Sequence, residues 1–319
     1  MSRSIVILAG GLSHERDVSL RSGRRVAEAL RAVGETVAVH DLDASLLVDL
    51  ANDPPDCVIP LLHGASGEDG SLRDVLECLG IPYVGSRPAA CRLSFDKMVA
   101  KAHVAGADLH TAAAVALPHP TFRDLGADAV LDALVARIGL PMVVKPTRGG
   151  SALGVAIVSD VADLPAAMVG CFSYADTAML ETHQGGTEVA VTVIEEADGT
   201  VRALPAVEIV PDSGVYDYAS RYTAGTTEFF APARLDPAVA EACARAAVTA
   251  HVSLGLRHLS RADLIVGPGG VVTFLEVNVA PGCTETSLLP QAVEAAGLDL
   301  GNVFQVLVER ALAPATESA

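Results

Sequence analysis

The chain has 319 residues, half of them hydrophobic, so it can bury a sizeable core and divide into two or three domains. A formal charge of −17 argues against a nucleic-acid or anionic-membrane partner, although phosphates can still bind where basic residues or a metal are local. No apolar run approaches the roughly 20 residues that span a bilayer, no secretory leader is recognisable, and six scattered cysteines form neither a zinc pattern nor a disulfide framework. The expectation is a reduced, cytoplasmic enzyme.

The chain opens with an apolar strand, Ser4–Ala9, then Gly10-Gly11 and a helix from about Asp17 to Val33 with Asp17 at its N-cap. Strand, glycine turn and helix are the start of a Rossmann-like unit, but the full dinucleotide fingerprint is absent. Strands follow at Thr36–His40 and Val58–Leu62. The next loop, His63 to Gly70, has three glycines and two acids and is either a ligand site at a sheet edge or a solvated turn. Glu68 and Asp69 are expected to cap the helix at about Ser71–Leu79. Ile81–Ser86 closes this unit.

A linker at Arg87–Leu93 leads to a helix near Ser94–Val104, which carries Lys97 and Lys101. Lys97 is a surface residue or a ligand. A helix is expected near Ala127–Ile138. The strand Met142–Pro146 then places Lys145 at its exit, where a buried ammonium needs an anionic partner. The loop Thr147–Gly154 and a strand at Val155–Val158 make a glycine-rich flap whose backbone amides can wrap phosphates; it is not a Walker A loop. Strands at Thr177–Glu181 and Val189–Ile194 flank a Gly185-Gly186 hinge, with Glu181 and Glu188 on either side. A strand Arg202–Val210 runs into a long loop holding Tyr216, Tyr218 and Tyr222, three of the five tyrosines, with the profile of a lid.

After a helix at Pro237–Leu254, two apolar strands flank a turn at Gly267–Gly270. Alternation sets Asp263 apart from its neighbours and puts Glu276 and Asn278 on one face. Three oxygen donors on paired strands suit Mg²⁺; the other reading is an ordinary surface hairpin. Helices at Ser287–Ala296 and Gly301–Ala313 and a frayed tail complete the chain.

Eight motifs, in order GGLSHERDVSL, LLHGASGEDGS, IPYVGS, FDKMVAK, VVKPTRGGSALGV, YDYASRY, SRADL and LEVNVAPGCTETSLLP, resemble the D-alanine–D-alanine ligases of the ATP-grasp superfamily. The resemblance runs from Gly10 to about Leu312. It implies an α/β (α+β) fold: a Rossmann-like domain at 1–93, then a two-lobed ATP-grasp fold divided into 94–182 and 183–319. It implies ATP held by Lys97, Lys145 and the flap at Gly150 and Ser151, with adenine at Glu181 and ribose at Glu188. Asp263, Glu276 and Asn278 would hold two Mg²⁺ (or Mn²⁺) ions. Glu15, with His63 nearby, would take the ammonium of the first D-alanine. Ser151 and Tyr222 would tie to Glu15 and hold the lid shut. Arg221 and Ser287 would take the second carboxylate, and Arg261 and the Gly282 amide the oxyanion. The activity implied joins two D-alanines through an acyl phosphate for peptidoglycan synthesis, in a homodimer.

The sequence departs from the family pattern at Arg221 (usually Lys), Ala152 (Ser), Val279 (Thr) and Cys283 (Met). Arg221 keeps the charge but prefers bidentate geometry, and Cys283 reads as a buried filler rather than a reactive thiol. These departures keep open a related ligase whose second substrate is D-serine, D-lactate or another amino acid. A different class, a two-lobed solute receptor, has no use for a lysine-bearing strand facing three oxygen ligands.

Overall fold

Three sheets organise the computed structural model, which describes residues 2–217, 220–221, 223 and 225–313. The first is parallel, with β1 (Ser4–Leu8) between β2 (Thr36–His40) and β3 (Cys57–Pro60). Helix α1 (Arg16–Ala32) buries Ser19, Ser22, Gly23, Val26, Ala27 and Leu30, the i, i+3, i+4 stripe of a helix lying on a sheet. A Cβ on Gly23 would come within 2.5 Å of the Ala9 Cβ, so glycine permits the close approach. The helix begins one residue earlier than expected. Glu15, not Asp17, holds the N-cap position, and Asp17 sits in the first turn, where the helix dipole favours an acid.

Residues 87–93 are not an open linker. Short helices α2 (Leu46–Asn52), α3 (Ala65–Glu68) and α4 (Ser71–Cys78) are followed by α5 (Pro88–Phe95), with Pro88 at its start, and then α6 (Lys97–Ala105). Asp96 separates the last two because it adopts extended backbone and its carboxylate accepts the Met98 and Val99 amides. Both helices bury Ala90, Cys91, Ala100 and Val104 against the third sheet.

The second sheet is antiparallel, order β4-β7-β5-β6, from β4 (Ala114–Pro118), β5 (Met142–Pro146), β6 (Ala156–Val158) and β7 (Thr177–Thr182). Helices α7 (His119–Leu125), α8 (Ala127–Ile138) and α9 (Leu164–Phe172) cover it through Phe122, Leu134, Ile138, Leu164 and Met168. Sequence reasoning found only α8 of these three, because α7 and α9 are short and α9 is too uniformly apolar to show a stripe.

The third sheet is also antiparallel, order β11-β10-β8-β12-β13, with β9 (Val201–Ala203) added to β8. Its long central strand β8 (Thr187–Glu195) pairs with β10 (Val207–Pro211) on one side and β12 (Leu259–Val266) on the other; β11 (Thr227–Phe230) and β13 (Val272–Asn278) are the edges. The single strand expected at 202–210 is split between β9 and β10, and Pro205, which lacks an amide to donate, lies in the break. Helix α10 (Pro237–Ser253) packs Cys243, Ala246, Ala247 and Ala250 on one face of this sheet. The other face shares a core with the first sheet and with α11 (Leu288–Ala295) and α12 (Leu300–Leu312), through Ile194, Ile209, Leu289 and Phe304. Each such buried side chain contributes roughly 1.5–3 kcal/mol. That shared core holds the loop after β13 against α1.

Candidate active site

A cavity of about 580 Å³ lies between the two antiparallel sheets and is walled by the flap. Lys145, at the end of β5, and Glu181, on the neighbouring β7, enter it from one sheet; Glu188, Asp263 and Glu276 enter from the other. Glu181 receives the Lys145 ammonium on one oxygen at 2.5 Å and the Lys101 ammonium on the other, and all three side chains are buried. Burial alone would raise the Glu181 pKa, but the two lysines outweigh it and keep the carboxylate ionised. Lys101 was visible in the sequence only as a helix lysine. The available signal was its spacing of four from Lys97, which puts both on one face of α6.

Lys97 opens α6, donates to the Gly149 carbonyl at 2.7 Å and pairs with Glu276 at 3.0 Å. It therefore joins the flap to the third sheet. Gly150 fits against Glu15, whose carboxylate oxygens lie 3.2 Å from where a Cβ would stand. Ser151 and Ala152 have φ of +54° and +56°, left-handed backbone that costs a non-glycine residue about 1 kcal/mol. Glu188 is pushed up to about 7 by burial, against the opposing pull of Arg221.

The three proposed metal ligands come together on β12 and β13. Asp263 stands opposite Glu276 and Arg261 opposite Asn278, and a register shift follows Asp263. Arg261 holds Asp263 with two hydrogen bonds of 2.7 and 2.8 Å. Asn278 Oδ1 accepts the Ala280 amide at 2.9 Å. Burial raises the Glu276 pKa, but Lys97, Lys145 and Arg221 prevail and hold it at about 2. Among the described residues no group of three or more His, Cys, Asp or Glu side chains forms a metal cluster. Two carboxylates and an amide oxygen nevertheless fit a hard divalent cation that keeps phosphate and water oxygens as further ligands.

A second cavity, of about 330 Å³, adjoins the first and is built from distant segments. Glu15 comes from the start of α1, His63 from the loop after β3, Glu68 from the end of α3, Ser151 from the flap, and Gly282 and Ser287 from the loop after β13. The Ser151 hydroxyl donates to Glu15, so the flap is tied to the first domain. Tyr222, the expected third member of that tie, lies outside the described residues. His63 is buried, its Nε2 has no hydrogen-bond partner among the described residues, and burial lowers its pKa, so the ring is neutral. Ser287 occupies the N-cap position of α11, and its hydroxyl oxygen accepts the Thr284 amide at 2.9 Å. A Cβ on Gly282 would fall 2.9 Å from the Ser287 oxygen, so only glycine leaves room there.

Two sequence readings hold, at Asp69 and Cys283, and two are refined, at Glu68 and Arg221. Asp69 caps the helix that follows, accepting the Ser71 amide at 2.8 Å, but Glu68 does not. Its carboxyl turns back to the Gly64 amide at 2.8 Å, is buried, and is raised to about 8 by burial and then by Glu15. Arg221 lines both cavities rather than only the amino-acid side, with its guanidinium carbon 4.2 Å from the Tyr216 ring centroid. Cys283 is a buried filler whose thiol burial pushes up to about 12.

Two antiparallel sheets that clasp a lysine-lined cleft under a glycine flap define an ATP-grasp enzyme. The solved structure titled D-alanine–D-alanine ligase from Bacillus anthracis complexed with ATP has this fold, with a TM-score of 0.79 and 27% identity over 98% of this chain and 97% of that one. The VanG D-Ala:D-Ser ligase from Enterococcus faecalis matches with a TM-score of 0.83 and 27% identity, covering 98% and 100%. Family models described as D-ala D-ala ligase C-terminus and N-terminus match residues 104–309 and 41–86. A D-alanine–D-alanine ligase of Anaeromyxobacter sp. (strain Fw109-5) is 42% identical over 310 residues, 97% of this chain and 96% of the relative. The chain belongs to the D-alanine–D-alanine ligase family.

Proposed function

We propose that this protein is an ATP-dependent ligase that joins two D-alanines, giving D-alanyl-D-alanine, ADP and phosphate for peptidoglycan precursors. The observation that carries the reading is the pair of adjoining cavities, one flanked by Lys97, Lys145 and the flap, the other by Glu15 and Ser151. The larger suits ATP, with the Lys101–Glu181–Lys145 group toward the base, Glu188 toward the ribose and Lys97 toward the phosphates. Asp263, Glu276 and Asn278 would hold Mg²⁺ or Mn²⁺, whose bound charge offsets the negative charge of the transferring phosphate.

The first D-alanine places its ammonium at Glu15, with the neutral His63 ring beside it. Its carboxylate attacks the γ-phosphate at the junction of the cavities, where Arg221 lies and offers a guanidinium to the phosphate oxygens. The amine of the second D-alanine then attacks the acyl phosphate. Arg261 and the Gly282 amide face the resulting oxyanion, and Ser287 faces the second carboxylate. The Glu15–Ser151 tie keeps the flap closed, because an acyl phosphate exposed to water is hydrolysed.

The same reading divides the chain at 1–93, 94–182 and 183–319, each division built on one sheet, and takes it as a cytoplasmic homodimer. No helix among the described residues is long and apolar enough to cross a membrane. Phosphate release and dipeptide formation over a panel of D- and L-amino acids, with D-serine and D-lactate included, test the activity. ATP-dependent formation of D-alanyl-D-alanine is expected; no ATP consumption with D-alanine and Mg²⁺ would refute it, and a preference for D-serine or D-lactate would reassign the second substrate.

A further inference from the structure

In the ligase reading the larger cavity holds a polyanion, yet its wall offers no excess of positive charge. Among the described residues, four cationic side chains, Lys97, Lys145, Arg221 and Arg234, line it together with five carboxyl groups. Arg234 is held by Glu208 through hydrogen bonds of 2.9 and 2.7 Å. Metal ions at Asp263 and Glu276 would correct the balance on the third sheet. On the second sheet Lys145 meets Glu181 at 2.5 Å, and an ion pair that close presents almost no net charge to a ligand.

Glu181 has a second partner. Its other oxygen accepts Lys101, which comes from α6, is as buried as the carboxylate, and lines neither cavity. The register of β5 and β7 sets the rest of the group: Glu181 stands opposite Val143, two residues before Lys145, so Glu181 and Lys145 are diagonal neighbours on one face. Lys97, one turn before Lys101, fixes α6 to the flap and to Glu276. A buried Lys–Glu pair adds little net stability over an apolar pair, because desolvation offsets the attraction. Burial works against the Lys101 charge and Glu181 works for it. Stability therefore does not account for a second buried lysine, whereas its charge does. Two ammoniums on one carboxylate leave the group with one positive charge, and Lys145, at the end of β5 next to the flap, presents it to the cavity.

We propose that Lys101 is a positioning residue for the nucleotide: without touching it, Lys101 neutralises Glu181 and leaves the Lys145 charge for the phosphates. Lys101 thereby governs the affinity for phosphorylated nucleotides and not for the bare nucleoside. This rests on the ligase reading and adds to it a residue that acts from behind the cavity wall.

The test compares a charged ligand with an uncharged one. ADP with Mg²⁺, and adenosine, are titrated separately into the full chain by calorimetry, and the ratio of their dissociation constants is read. Lys101→Met removes the charge and keeps the bulk. It should weaken ADP relative to adenosine by about tenfold, the scale of one elementary charge several ångströms from a phosphate at an effective dielectric constant of about 20. Lys101→Met combined with Glu181→Gln leaves Lys145 as the one charge of the group, and the ratio should return to within about threefold of the parent value. A role in shape alone would weaken both ligands together, or leave the double variant as poor as Lys101→Met. Either result, or an unchanged ratio in Lys101→Met, overturns the proposal. Should Lys101→Met fail to fold, Glu181→Gln is compared with the double variant, since these two differ by the same charge. The same tenfold is then expected, about 1.4 kcal/mol, and equal ratios overturn the proposal. A parent enzyme that binds neither ADP nor ATP would remove the ligase reading itself, a result distinct from an enzyme that binds ADP and ignores Lys101.

Discussion

The two cavities are built in opposite ways. The larger takes most of its chemistry from neighbouring strands, and its charges are already paired within the protein: Glu181 with Lys101 and Lys145, Glu276 with Lys97, Asp263 with Arg261. The smaller takes Glu15, His63, Ser151, Arg261, Gly282 and Ser287 from separate stretches of the chain, and it exists only where the first domain, the flap and the loop after β13 meet. A sheet can prepare the larger cavity in advance. The smaller one depends on closure, which suits the exclusion of water that the proposed acyl phosphate requires.

Substitutions can break or sharpen this contrast. The largest effect is expected at Glu276→Gln, which removes a proposed metal ligand and the partner of Lys97. ATP turnover should fall by about a thousandfold with the circular dichroism spectrum unchanged; near-normal phosphate release would remove the metal assignment. Next comes Glu181→Gln, which leaves two buried ammoniums without their carboxylate. A loss of about 3 kcal/mol in urea unfolding is expected, together with a raised KM for ATP; unchanged stability would mean that the pairing contributes nothing net.

On the amino-acid side, Ser151→Ala cuts the tie to Glu15. Phosphate released per dipeptide should rise about threefold as the acyl phosphate meets water, with little change in stability; a ratio that stays at one would show that closure does not need this bond. A smaller effect concerns pH. The folded protein keeps a proton on Glu188 up to about pH 7, whereas the unfolded chain releases it near the ordinary value of 4.5. The folded state therefore holds more protons between those limits, and this residue's contribution to stability falls as pH rises from 4.5 through 7. Glu188→Gln should gain on the order of 2 kcal/mol relative to the parent at pH 8, and nothing at pH 4, in thermal melts; a gain that does not depend on pH would count against a protonated Glu188. The smallest effect is in thiol chemistry. Cys78 is exposed and the other five cysteines are buried, so an aromatic disulfide reagent should titrate one thiol per native chain and leave activity unaltered.

Much of the larger cavity was legible in the chain itself. Lys145, Glu181, Glu188, Asp263 and Glu276 lie on or beside short apolar strands, where alternation separates a polar side chain from its neighbours. The flap announces itself by its glycines. The distant partners of those charges were not legible. Nothing local says that Lys101 reaches Glu181, 80 residues away, whereas Arg261 and Asp263 share one face of their strand and can meet locally. The smaller cavity was readable only through motif resemblance. Its placement by physics alone needs the core shared between the first sheet, α11 and α12. Helices α7 and α9 escaped because short or uniformly apolar segments carry no clear period.

Local chemistry settled which stretches become strands, flap and helices, because side-chain alternation, proline and glycine act over a few residues. Long-range packing decided the pairs that join distant segments, such as Lys101 with Glu181 and Lys97 with Glu276. Glu181 is silent in a sheet that buries it between lysines, whereas α1 lines the smaller cavity because its Ser22 is pinned to the Cys283 amide, some 260 residues further on. A charge obtains its partner from three-dimensional proximity, and proximity between distant segments is set by the cores that dock them.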